Sequence, residues 1–225
     1  MEKSKGNMYD FVTGTKNFIR GECYHKCGYC YVKSSRVKKL YEGPPKLIES
    51  QFKSLGKDKF WFIGSMIDMW ADLIPSYSIM KILEHCRKYK NRYLFQSKNP
   101  WRFDDFRTDF PPNVILGTTI ETSRVYRQMG NTPSTESRSR AMAHLSENFE
   151  TMVTIEPIMD FSLEFLVHHI SACNPSWVNI GADSKKHNLP EPPAEKIKEL
   201  ISELRSSGIE VKIKKNLRRL GIFED

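Results

Sequence analysis

No apolar run in these 225 residues approaches the length that crosses a bilayer, so no membrane-spanning helix is expected. The opening MEKSKGNMYDF has none of the apolar core a secretory leader carries, and a soluble, cytoplasmic protein is expected. Low-complexity tracts and repeats of identical residues are also missing. Cysteine is scarce, five in all, and three of the five fall within eight residues. An odd count bunched in this way does not make a disulfide framework; it suits a reducing compartment and a metal. Acidic residues number 27 against 35 basic ones, a net charge of +8. That balance favours anionic partners, nucleotides and nucleic acid among them, although an ordinary lysine-rich surface has the same sum.

What is present is an alternation of strand-like apolar runs and helical stretches. The strands are expected at 8–13, 59–65, 92–97, 113–120, 151–157 and 176–182, with a short closing strand at 209–215. Helices are expected at 44–56, 75–90, 135–148, 161–173 and 192–208, with a short one from Asn99. Strands alternating with helices imply an α/β fold with a parallel sheet. Six such units make a partial (βα)6 TIM-like barrel with outer helices, filling 1–225 as a single domain that ends in a basic tail, 209–225.

Working residues of such folds lie at the C-terminal ends of strands. Those ends are the cysteine loop, then Gly64 to Asp68, Gln96 to Asn99, Thr118 to Glu121, Glu156-Pro157, and Asn179 to Asp183. In the loop GECYHKCGYCYVK, Cys23, Cys27 and Cys30 stand at C-x3-C-x2-C spacing. Structural zinc and electron-transfer iron–sulfur clusters each take four protein ligands, so three leave one position open. Zinc completed by His25 or by a distant residue is the alternative. It leads to a zinc-stabilised nucleic-acid-binding protein without catalysis, and a simple iron–sulfur electron carrier is a third reading.

A C-x3-C-x2-C loop after the first strand of an α/β barrel, with Tyr29 before its last cysteine, resembles the radical S-adenosylmethionine (radical SAM) superfamily. The resemblance implies a [4Fe-4S] cluster held by Cys23, Cys27 and Cys30, with S-adenosylmethionine on the fourth iron. It implies reductive cleavage to a 5′-deoxyadenosyl radical that abstracts hydrogen from a substrate. Tyr29 is then expected near the adenine, and Gly64 and Ser65 present backbone to the methionyl amino group, with Asp68 as a displaced acid. Thr119 and Glu121 match the region toward ribose and carboxylate, and Glu156, Asn179 and Gly181 match strand ends that line the adenosyl pocket. GSMIDMW, QSKNP, TTIET and TIEPIMDF together look most like a small phage and microbial branch loosely similar to the spore photoproduct lyase group, which repairs DNA. The partners implied are S-adenosylmethionine, an anionic substrate with nucleotides and nucleic acid leading, and an electron donor such as flavodoxin or ferredoxin.

No catalytic acid or base is assigned. Cys86 and Cys173 fall on helices and are expected to be structural. His168 and His169 are read as surface and boundary residues. The basic runs 36–39 and 212–219 would make a phosphate track if both reach the barrel mouth, and are otherwise solvated charge.

Overall fold

The computed structural model describes residues 8–223. Residues 1–7 and the last two residues of the basic tail lie outside them. Seven strands form one parallel sheet in the order β1 (Gly14–Lys16), β4 (Phe60–Ile63), β5 (Arg92–Ser97), β6 (Val114–Thr119), β7 (Glu150–Ile155), β8 (Trp177–Ile180) and β9 (Glu210–Ile213). The remaining strands, β2 (Ile19–Arg20) and β3 (Lys46–Leu47), form a small antiparallel ribbon. Four α-helices follow strands of the sheet: α1 (Ser76–Arg87), α2 (Thr135–Leu145), α3 (Leu163–Ala172) and α4 (Ala194–Ser206). Each presents apolar residues at helical spacing; on α1 these are Ile79, Ile82, Leu83 and Cys86, all fully buried. No helix among the described residues is long and apolar enough to cross a membrane.

Successive strand residues face opposite sides. Tyr93, Phe95, Leu116, Val153, Ile155, Val178 and Ile180 pack under the helices in the main core. Their alternates Phe62, Leu94, Ile115, Met152 and Trp177 form a second cluster on the concave side. The segment predicted as the first strand, 8–13, closes that cluster instead of pairing. Tyr9 and Phe11 stack at 5.1 Å, and Phe11 meets Trp177 edge-on at 5.1 Å. Its aromatic alternation reflects burial against the inside of the sheet, and the first strand begins only at Gly14.

The helix expected at 44–56 is also absent. Pro44 and Pro45 offer no N–H and favour extended backbone. Lys46 and Leu47 then pair with Arg20 and Ile19. Phe52 packs on Phe18 at a ring separation of 4.8 Å and Leu55 is buried, so this stretch covers the core from extended chain and a short 3-10 turn. The first crossover is thus a loop with a ribbon, which leaves the cysteine loop at the C-terminal ends of β1 and β4.

Candidate functional site

The cysteine loop is pinned from two sides. Gly28 N–H donates to the Gln128 carbonyl at 2.7 Å, and Asn131 N–H to the His25 carbonyl at 2.7 Å. Gly130 makes that approach possible, because its φ is +69° and a Cβ there would lie 2.1 Å from the His25 oxygen. On the other side, His25 Nε2 pairs with Asp68 Oδ2 at 2.8 Å. Asp68 also accepts from Ser97 Oγ at 2.9 Å, Lys98 N–H at 2.8 Å and Trp70 N–H at 3.0 Å. Burial alone would raise the pKa of this carboxyl; His25 and the two backbone donors outweigh it and hold it below the ordinary value. Asp68 is therefore a strut between β4, β5 and the loop, with its oxygens already engaged.

Cys23, Cys27 and Cys30 are free thiols, Cys27 buried and the other two half-buried. Burial, with the Asp68 charge adding to it, pushes Cys23 up to about 11, against N–H donors from Asp68 and His25. Burial likewise raises Cys27, and the Lys98 ammonium opposes the rise. No three His, Cys, Asp or Glu side chains among the described residues converge on a single ion position. A tetrahedral zinc requires such convergence; an iron–sulfur cube, whose thiolates each reach a different iron, does not. Three unpaired thiols on one pinned loop, beside a buried His25 Nδ1 with no partner among the described residues, suit such a cube. Cys86 and Cys173 are buried elsewhere; dry surroundings push Cys173 up to about 12, and its Sγ donates to the His169 carbonyl at 3.1 Å.

Against the loop lies a closed polar cluster. Tyr29 OH donates to Glu121 Oε1. Arg138 Nη1 holds Glu121 Oε2 at 2.7 Å and the Thr119 carbonyl at 2.7 Å, while its other nitrogens reach the Pro133 carbonyl and Thr132 Oγ1. Lys98 Nζ stands 3.8 Å from Glu121 Oε1 and 5.5 Å from the Tyr29 ring centre. Arg138 and Glu121 are both wholly buried. Burial pushes the Glu121 pKa up, but Arg138, Lys98 and the Tyr29 hydroxyl together hold it below the ordinary 4.5.

The remaining predicted residues divide into two groups. Gly64 turns the chain at φ +80° after β4. The Ser65 carbonyl accepts Tyr31 OH at 2.8 Å, and its Oγ faces Asn17 Nδ2 at 3.3 Å. Across the barrel, Glu156 lies over Gly181, where a Cβ would stand 2.7 Å from the Glu156 carboxyl carbon. Glu156 accepts from Lys214 Nζ at 2.6 Å and from Asn216 Nδ2 at 2.9 Å. Thr119 Oγ1 accepts from Gln96 Nε2 at 3.1 Å, and Tyr9 OH donates to Gln96 Oε1 at 2.8 Å. Asn179 is buried in the same interior, its Nδ2 3.6 Å from Met152 Sδ.

Arg138 stands mid-helix in a run of arginines and serines, with nothing in the sequence to mark it as inward. Tail cations are largely engaged rather than laid out as a phosphate track: Lys214 binds Glu156, Lys212 lies 4.3 Å over the Trp177 ring, and Arg219 binds Glu191 at 2.7 Å.

No family model and no curated relative matches the chain. Solved structures do. A cysteine-to-serine mutant of spore photoproduct lyase superposes with a TM-score of 0.64 at 14% identity, over 93% of this chain and 78% of that one. Spore photoproduct lyase with bound AdoMet and dinucleoside spore photoproduct matches at 0.56 and 12% identity, over 85% of this chain and 60% of that one. SuiB of Streptococcus suis bound to precursor peptide SuiA matches at 0.63 and 8% identity, over 90% of this chain and about half, 49%, of that one. At these identities the likeness establishes the fold: an α/β partial barrel shared with proteins solved with S-adenosylmethionine, a dinucleoside or a peptide.

Proposed function

We propose that the chain is a radical SAM enzyme acting on an anionic substrate. The observation that carries the reading is three free cysteines on a doubly pinned loop, at the C-terminal ends of parallel strands in a fold shared with spore photoproduct lyase. Cys23, Cys27 and Cys30 would hold a [4Fe-4S] cluster, and Gly64 and Ser65 would offer backbone to the methionyl amino group of S-adenosylmethionine. A bound cluster would supply one electron to the sulfonium, splitting S-adenosylmethionine into methionine and a 5′-deoxyadenosyl radical able to take hydrogen from the substrate.

The chain's own residues would do the rest. Lys98 is a half-buried cation beside Cys27 and Tyr29, suited to pair with the methionyl carboxylate. Thr119, Asn179, Gly181 and Glu156 line the interior on the adenosyl side. Glu121, saturated by Tyr29, Lys98 and Arg138, would act by fixing Tyr29 at the pocket wall rather than by touching the cosubstrate. Tyr9, Phe11 and their cluster close the far end of the barrel against water, which a carbon-centred radical requires. A one-electron donor of flavodoxin or ferredoxin type and a reducing, cytoplasmic setting complete the reading.

Protein reconstituted anaerobically with iron and sulfide, then given reductant and S-adenosylmethionine, is expected to form 5′-deoxyadenosine. Cys27→Ala is expected to abolish it, whereas Cys86→Ala with Cys173→Ala keeps both iron and product. A fully iron-loaded wild type that forms no 5′-deoxyadenosine, or zinc held in place of iron, would overturn the reading.

A further inference from the structure

One concavity that the proposed chemistry leaves unused lies at the free edge of the sheet. β1 has a sheet neighbour on one side only. Just past its C-terminal end, the β2–β3 ribbon and the 3-10 turn Lys38–Tyr41 fold over this edge, with Gly21 N–H bonded to the Leu40 carbonyl at 3.2 Å. They border an open, solvent-facing concavity of about 250 Å³. Lys16 and Arg20 line it, with Asn17 between them in sequence and an apolar wall of Val37 and Leu40 beside Tyr41. No carboxylate lines it.

The two cations are the unusual feature. Both are half-buried, and neither makes an ion pair with a described residue. Elsewhere in the chain half-buried lysines are matched, Lys196 to Asp160 at 2.7 Å and Lys214 to Glu156 at 2.6 Å. Among the described residues Lys16 has the Trp61 ring, 4.6 Å from Nζ, and an electrostatic effect on His85, but no carboxylate partner. Arg20 acts on the Tyr41 hydroxyl, opposing the rise in pKa that burial causes. Two like charges sharing a partly desolvated cleft repel each other, and an anion between them removes that cost. The cavity also adjoins the proposed cosubstrate turn: Asn17 Oδ1 accepts Met66 N–H at 2.9 Å, and its Nδ2 faces Ser65 Oγ.

We propose that this edge cavity is an anion subsite that seats the phosphate of a nucleotide-sized substrate, Arg20 and Lys16 on the phosphate and the Val37–Leu40 wall against the body of the molecule. The assignment rests on the functional reading above only in calling the ligand a substrate; binding needs neither cluster nor cosubstrate. Arginine suits the role because its planar fork matches two phosphate oxygens. This volume falls below the roughly 300–1,000 Å³ of drug-sized pockets, which suits a phosphate with part of a sugar or ring. A nucleic-acid strand would instead run across the exposed Arg36, Lys38 and Lys39.

The test is titration calorimetry on iron-free protein with uridine 5′-monophosphate, uridine and inorganic phosphate, the pyrimidine keeping the probe out of an adenosyl pocket. The monophosphate is expected to bind at least ten-fold tighter than inorganic phosphate, and uridine not measurably. Arg20→Met and Lys16→Met are each expected to weaken the monophosphate ten-fold or more, with Lys198→Met, an exposed lysine on α4, binding as wild type. Folded Arg20→Met and Lys16→Met proteins that bind like wild type would overturn the proposal. So would equal affinity for phosphate and nucleotide, or binding only of an oligonucleotide that depends on Arg36, Lys38 and Lys39. Intact binding in an iron-loaded protein that forms no 5′-deoxyadenosine would sink the enzyme reading and leave the subsite standing.

Discussion

Replacing Arg138 with methionine is expected to cost about 3–5 kcal/mol of stability, because it strands Glu121 in the interior without its main counter-charge. In a chain of this length that lowers the thermal midpoint by about 10 °C or more. Lys98 remains at 3.8 Å, but its reach to Glu121 Oε1 does not replace the 2.7 Å contact on Oε2 or the bonds from Arg138 to the Thr119 and Pro133 carbonyls. Adding Glu121→Gln removes the stranded charge and is expected to restore part of the loss, since an unpaired neutral amide is cheaper to bury than a carboxylate. A pH series gives an independent readout. The folded state holds Glu121 below its ordinary 4.5, so the unfolded chain takes up its proton first as pH falls. The contribution is therefore complete above about pH 5 and is lost as pH drops through the folded value. Wild type is expected to lose stability steeply below pH 4, and the Arg138→Met, Glu121→Gln double variant less so. A loss under about 1 kcal/mol in Arg138→Met would mean that water or rearrangement satisfies Glu121 and that the cluster is not a structural unit.

Gly130→Ala is expected to empty the cysteine site while leaving the sheet folded. Its Cβ would overlap the His25 carbonyl oxygen, and a φ of +69° is itself unfavourable for alanine. Segment 127–131 can shift outward because its exposed side is solvent, but the bond from Asn131 N–H to His25 and that from Gly28 N–H to Gln128 would then be lost. Iron bound after reconstitution is expected to fall several-fold, with 5′-deoxyadenosine falling in parallel. The far-ultraviolet circular dichroism of the iron-free protein should be unchanged, since four helices and seven paired strands lie outside the displaced loop. Full iron loading in this variant would show that the loop holds its shape without the Gly130 contact.

What could be read from the chain and what could not follow a physical divide. Phe60–Ile63, Arg92–Ser97 and Val114–Thr119 are buried on both faces, so their sequences are apolar runs bounded by turns, and they stood out. The helices α1 and α4 showed themselves by spacing and by a proline at the start of each. The cysteine loop was legible because three thiols so close together have few other uses. Residues 8–13 alternate as a strand does, and nothing local says that Tyr9 and Phe11 meet the inside of the sheet instead of pairing. The stretch 44–56 carries helical spacing that its two prolines and a distant partner, Ile19–Arg20, override. The contacts that position the site are longer-range still. His25 and Asp68 are 43 residues apart, and Tyr29 and Glu121 are 92 apart. Neither pair can be inferred from the identity of its members, and nothing local to Asp68 shows that its oxygens meet the loop and β5.

The N-terminal plug also carries a consequence for the order in which the protein takes shape during synthesis. Phe11 rests on Trp177 and lies 5.3 Å under Lys212, and Lys214 lies 4.8 Å over Tyr9. These partners leave the ribosome some 165 to 205 residues after the aromatics they cover. At roughly 5–20 residues per second, Tyr9 and Phe11 wait on the order of ten seconds or more without them. Tyr9 and Phe11 are made well before the side chains that surround them in the folded protein.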